Sequence, residues 1–197
     1  RDRYNHVYMK LKNGFSLEKN GWTYISIKGN PRERGYAYGY LIANDFIQIQ
    51  KMLDFFVFQS HGIKWDEFVQ KINDDFYEMT KKDFHEFFEE MLGISEGLND
   101  NHCKTSIQEI IAWNFYLSIS YWSGNLEHNK SHEGGSKDRC SAFIAVGDWT
   151  EDGKIVCAHN SFTDYIDGQY SYVVLDIQPT HGHRIIMQTT PGWIWSG

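Results

Sequence analysis

Hydrophobic residues recur every three to four positions from Pro31 to about Trp122, and after Arg139 they gather in short β-rich runs. A polar stretch, Ser123 to Arg139, separates the two regimes. A helix needs that period and strands suit such runs, so one chain carries a helical part followed by a sheet. The stretch between them, SGNLEHNKSHEGGSKDR, has three glycines and almost no apolar anchor, and reads as a surface loop or linker. The expected organisation is residues 1–122 as an N-terminal strand plus helices, 123–139 as a flexible linker, and 140–197 as a β-rich segment. The fold class is therefore α+β.

Within the first part, Trp22 to Ile27 alternates and reads as a strand. Gly29-Asn30-Pro31 offers an N-cap with proline at the first helical position. Behind it Tyr38, Leu41, Ile42, Phe46 and Ile49 form one apolar stripe. Further helices are expected from about Trp65 to Met79, from about Phe84 to Leu98, and after Thr105-Ser106. Gly35 and Gly39 read as a helix-packing pair; a P-loop would need a Lys-Ser/Thr that is absent. After Arg139, Ser141 to Gly147 and Lys154 to His159 flank an Asp152-Gly153 turn. Tyr170 to Ile177 and Arg184 to Thr189 complete an expected antiparallel meander. The last residues, Pro191 to Gly197, read as a turn within a domain, so the chain is expected to continue beyond them.

Charge and composition exclude several classes. The net charge is −7 and no basic run exists, which argues against a nucleic-acid partner or an anionic membrane surface. No stretch approaches the roughly 18 uncharged apolar residues of a membrane span, so no integral membrane segment is expected. Three cysteines, Cys103, Cys140 and Cys157, make no disulfide framework. Nine histidines suggest metal sites, but His181/His183 lack a third ligand and His128/His132 lie in the linker. No metal and no cofactor is expected. Asn129-Lys130-Ser131 is a glycosylation sequon that matters only in a secreted protein.

Cys140 stands where the polar linker meets the first β segment. Were the Arg139–Cys140 bond cut, the freed α-amino group could serve as base for the thiol of its own residue. Three runs carry a resemblance: Cys140-Ser141-Ala142-Phe143-Ile144-Ala145, the Asp152-Gly153 turn, and Val156-Cys157-Ala158-His159-Asn160-Ser161. Together they resemble the start of the catalytic chain in N-terminal-nucleophile (Ntn) hydrolases. The nearest groups are the acyl-coenzyme A:6-aminopenicillanic acid acyltransferase-like (C45) family and the phospholipase B-like proteins. Gly29 to Gly39, Gly182-His183-Arg184 and Thr190-Pro191-Gly192-Trp193 resemble further parts of the same pattern. The motifs are short, and their order and spacing carry the likeness.

The resemblance implies an αββα sandwich, autoproteolysis at Arg139–Cys140 into two chains, and acyl-transfer or amide hydrolysis. Cys140 would be nucleophile, with His159 and Asn160 orienting its amine or the substrate, and Trp193 lining the substrate pocket. The partner molecules would be a small acyl amide or ester, lipid-like in the phospholipase B-like branch, and the chain's own cleaved second fragment. Phe162 stands where the acyltransferases carry an aspartate, which favours that branch. The oxyanion-hole asparagine and distal arginine of the family would lie beyond Gly197. Secreted or lysosomal residence fits this branch better than the cytoplasm. Without the resemblance, His159 is more often a satisfied core or surface histidine than a catalytic one, Asn160 reads equally as a strand terminator, and Trp193 with Trp195 reads more often as one strand face. A fold-retaining binding or scaffold protein without catalysis is the alternative.

Overall fold

The computed structural model describes residues 8–119, 140–161 and 165–195. The linker, including Arg139, the sequon and the His128/His132 pair, lies outside the described residues, as does Phe162. Among the described residues the chain is mixed α+β, with five helices of eight residues or more and two sheets. The strands are β1 (Tyr8–Lys10), β2 (Gly14–Lys19), β3 (Trp22–Gly29), β4 (Cys140–Gly147), β5 (Gly153–Ser161), β6 (Val173–Pro179) and β7 (Ile185–Thr189). The helices are α1 (Pro31–Leu41), α2 (Ala43–His61), α3 (Trp65–Asp83), α4 (His85–Asp100) and α5 (Ile107–Asn114).

Local chemistry sets most boundaries. Asn30 caps α1 by accepting from the Glu33 N–H at 2.9 Å, and the Glu33 carboxylate accepts from the Asn30 N–H at 3.1 Å. Ser106 and Glu109 make the same reciprocal pair at the start of α5. Gly62, with φ of 71°, ends α2 in the left-handed conformation that glycine adopts without a Cβ penalty. The apolar stripe expected as one helix from Pro31 to Ile49 is two, because the chain breaks at Ile42. Ile42 itself stays fully buried, so the hydrophobic period runs unbroken across the bend.

β1, β2, β3, β6 and β7 form one sheet in that order. The expected meander from Cys140 onward does not form as such. Among the described residues β4 and β5 pair only with each other, while β6 inserts parallel to β3 and carries β7 antiparallel on its far side. The reason lies in the inward faces. Ile25 and Ile27 of β3 and Val173 and Leu175 of β6 are fully buried in one core with the helices, giving β6 more apolar cover there than beside β5.

Helices α1 and α4 approach until their backbones touch. A Cβ built on Gly35 would lie 2.1 Å from the Glu90 carbonyl oxygen, and one on Gly39 2.1 Å from that of Ile94. On α4, a Cβ on Gly93 would meet the Arg32 oxygen at 2.3 Å, and one on Gly97 the Tyr36 oxygen at 2.1 Å. Four glycines at reciprocal four-residue spacing thus make the contact. At the N-terminal end of the contact the Arg34 guanidinium donates to Glu90 Oε2 at 2.8 and 2.6 Å, with both side chains buried.

Candidate functional site

Cys140 is the first residue of β4 and is exposed. The antiparallel register sets Cys140 opposite Ser161, Ser141 opposite Asn160 and Ala142 opposite His159. Directly paired residues share a face and alternate along each strand. One face therefore carries Cys140, Ser161, His159 and Cys157, and the other carries Ser141 and Asn160. The structure thus brings Cys140 and His159 together as diagonal neighbours and sends Asn160 to the opposite side. His159 Nδ1 lies 3.4 Å from Ser161 Oγ. Ser161 was not among the expected site residues, although its spacing of two from His159 carries the signal.

A thiol, an imidazole and a hydroxyl on one open face can supply a nucleophile, a proton carrier and a hydrogen-bonding group. Diagonal neighbours stand roughly 7–8 Å apart at the backbone, a gap that a bound substrate can bridge. The other cysteine environments differ. Cys103 is buried, donates weakly to Gln50 Oε1 at 3.5 Å, and has its thiol pushed up to about 11 by desolvation and the nearby Glu109 carboxylate. That suppresses its thiolate and leaves it a structural residue. Cys140 and Cys157 are free and exposed.

Trp193 sits elsewhere, in the core. Its ring is tilted against Trp113 with centroids 5.3 Å apart and stacks on Trp195 at 4.3 Å. The segment from Thr190 to Ile194 is a pinned turn with no strand. Tyr38 donates to the Thr190 carbonyl and accepts from the Gly192 N–H, and Trp113 donates to the Pro191 carbonyl. Asn114 completes the clamp, accepting from Ile194 N–H and donating to the Gly192 carbonyl. Trp193 is buried with its indole N–H unpartnered.

A second polar cluster occupies the outer face of the large sheet. The Arg184 guanidinium grips Asp176 with two 2.7 Å bonds, and Tyr24 donates to the same carboxylate at 2.5 Å. These bonds, Arg184 foremost, hold the Asp176 carboxyl down at about 2 against the opposing effect of burial. A carboxyl depressed in the folded state stabilises the fold fully above its unfolded value near 4, and loses that contribution as pH falls through about 2. Asp176→Asn is expected to cost about 1–2 kcal/mol at pH 7, after allowing for screening of the half-exposed arginine. Urea unfolding at pH 7 and pH 2.5 checks this, and the gap between variant and wild type should narrow at the lower pH.

Among the described residues no group of three His, Cys, Asp or Glu side chains is gathered to hold a metal, and no helix is long and apolar enough to cross a membrane. No family model matches the chain, and no curated protein matches it.

Proposed function

We propose that this chain is an Ntn hydrolase that cuts itself before Cys140 and then transfers or hydrolyses the acyl group of a small amide or ester. The observation that carries the reading is Cys140 at the head of β4, with His159 diagonal to it on the same open face. The Cys140 thiol first attacks the Arg139 carbonyl. An N-to-S acyl shift and hydrolysis of the resulting thioester then release a free α-amino group. That amine, with a reference pKa of about 7.7–8.0, takes the thiol proton, and the thiolate attacks the acyl carbon. Backbone donors hold the tetrahedral oxyanion; its collapse expels the amine or alcohol, and water or an acceptor amine releases the acyl group.

The wider fold in this proposal is an αββα sandwich. Support comes from a helical layer on one face of the five-stranded sheet, with the other face carrying the Tyr24–Asp176–Arg184 cluster. The apolar hairpin residues Ile144 and Ile155, on the Cys140 face, suit a lipid-like acyl chain. Secretion or lysosomal residence belongs to the same proposal. Asn160 on the opposite face from Cys140 favours the second reading, a binding or scaffold protein that keeps the fold without the chemistry.

Intact mass measurement and N-terminal sequencing of the wild type and Cys140→Ala distinguish them. The enzyme reading expects two wild-type chains, the second beginning at Cys140, and an uncut variant. A single uncut chain in both, with no acyl release from amide or ester substrates, leaves the binding reading.

A further inference from the structure

The β4–β5 hairpin has apolar side chains on both faces, and all but one of its strand residues are exposed. The face away from Cys140 carries Phe143 and Ala145 on β4 and Val156 and Ala158 on β5. Trp149, from the connecting turn, closes a shallow cup with Phe143, Ala145 and Val156, and Thr150, Glu151 and Asp152 line its tip side. Phe143 is 58 % exposed, Val156 46 % and Trp149 88 %. With aromatic side chains contributing roughly 150–250 Å² each, this face presents on the order of 500 Å² of apolar surface. That matches the largest patches a typical monomer shows, roughly 300–600 Å², which often mark binding sites.

We infer that this face is a self-association surface, on which two copies of the chain pack face to face about a two-fold axis. Two faces of this size bury on the order of 1,000 Å², the threshold for a specific interface. A two-fold contact needs only that the patch complement itself. A cup rimmed by Trp149 and floored by alanine does so, because each indole can seat over the small Ala145 and Ala158 of the other copy. Charge selects the orientation. Asp148, Glu151 and Asp152 crowd the hairpin tip, with Lys154 paired to Asp152. Antiparallel packing of the two hairpins sets each acidic tip against the strand pair of the other copy instead of against the other tip. The Cys140 and His159 face stays outside the contact.

Sedimentation velocity over a concentration series, on the full 197-residue chain, tests it. The wild type is expected to dimerise with Kd of about 10 μM or tighter. Trp149→Glu and Val156→Lys are each expected to weaken the dimer by about 100-fold or more. Ile155→Asp, on the opposite face, should leave the constant within about threefold. Circular dichroism identifies any variant that has lost its fold, and the other variant then decides. A wild type that is monomeric throughout, or occupied only by a different protein, overturns the inference. So does a dimer indifferent to both face variants, or one that Ile155→Asp weakens equally.

Discussion

Gly39→Ala is expected to destabilise the protein by about 3 kcal/mol or more, although alanine is the better helix former by about 1 kcal/mol. The new Cβ would sit 2.1 Å from the Ile94 carbonyl oxygen, an atom of the α4 backbone that no rotamer change can move aside. Relief requires α1 and α4 to separate by about 1 Å, and that opens the contact along its length. The four glycines share one contact, so their effects should not add. Once Gly39→Ala has parted the helices, Gly97→Ala, which alone meets the Tyr36 oxygen at 2.1 Å, should cost much less. Chemical denaturation of the two single variants and the double variant measures this coupling. A double variant whose loss equals the sum would mean that the helices are not held as one interface.

Arg34→Met is the second substitution with a large expected loss, about 3–5 kcal/mol. Burial pushes the Glu90 carboxyl up, and Arg34 supplies the opposing hydrogen bonds and charge. Glu86 also reaches Arg34, at 2.9 Å, but is exposed and can turn to water when its partner is gone. Glu90 cannot. The variant should recover stability in acid, because a buried carboxyl with a raised folded pKa penalises the fold only once it ionises. Its deficit is therefore smallest below about pH 4 and grows as pH rises through the raised value. Pairing Arg34→Met with Glu90→Leu removes both charges, and should restore most of the loss at neutral pH. A double variant as unstable as the single would point to lost packing by the arginine stem as the cause.

Much of the first half was legible because its signals are local. Asn30-Pro31, the stripe through Tyr38 and Phe46, and Ser106 before an apolar run each depend on residues within one or two turns. Gly35 and Gly39 read as a packing pair for the same reason. Their partners Gly93 and Gly97 did not, since nothing in sequence says which helix a small-residue face will meet. Asn20-Gly21 is a miss of a different kind. Both residues have positive φ, 52° and 80°, and join β2 to β3 as a tight two-residue hairpin. That signal is as plain as Asp152-Gly153, yet β2 is short and only Phe15 and Leu17 mark its alternation. The parallel match of β3 with β6 was beyond reach. An apolar strand announces that it will be buried, and it does not announce beside which other strand. For the candidate site, Cys140 and His159 came from local motifs, whereas the separation of Asn160 needed the strand register. Trp193 shows the limit of reading aromatics by spacing, because the clamp of Tyr38, Trp113 and Asn114 draws its loop into the core.

The β3–β6 pairing has a kinetic consequence. Ser26 and Asp176, partners in that ladder, are 150 residues apart, so closing it demands a long loop and a high-contact-order step. The α1–α4 contact spans far less sequence and can form first, with the sheet completed late. A cut in a loop between the two strands, with the pieces still paired through β3 and β6, would change the refolding law of the molecule. The uncut chain recovers in a first-order process. Severed halves must find each other by diffusion, so recovery becomes second order and slows with dilution. At high dilution such a molecule would stay folded mainly because its halves part slowly.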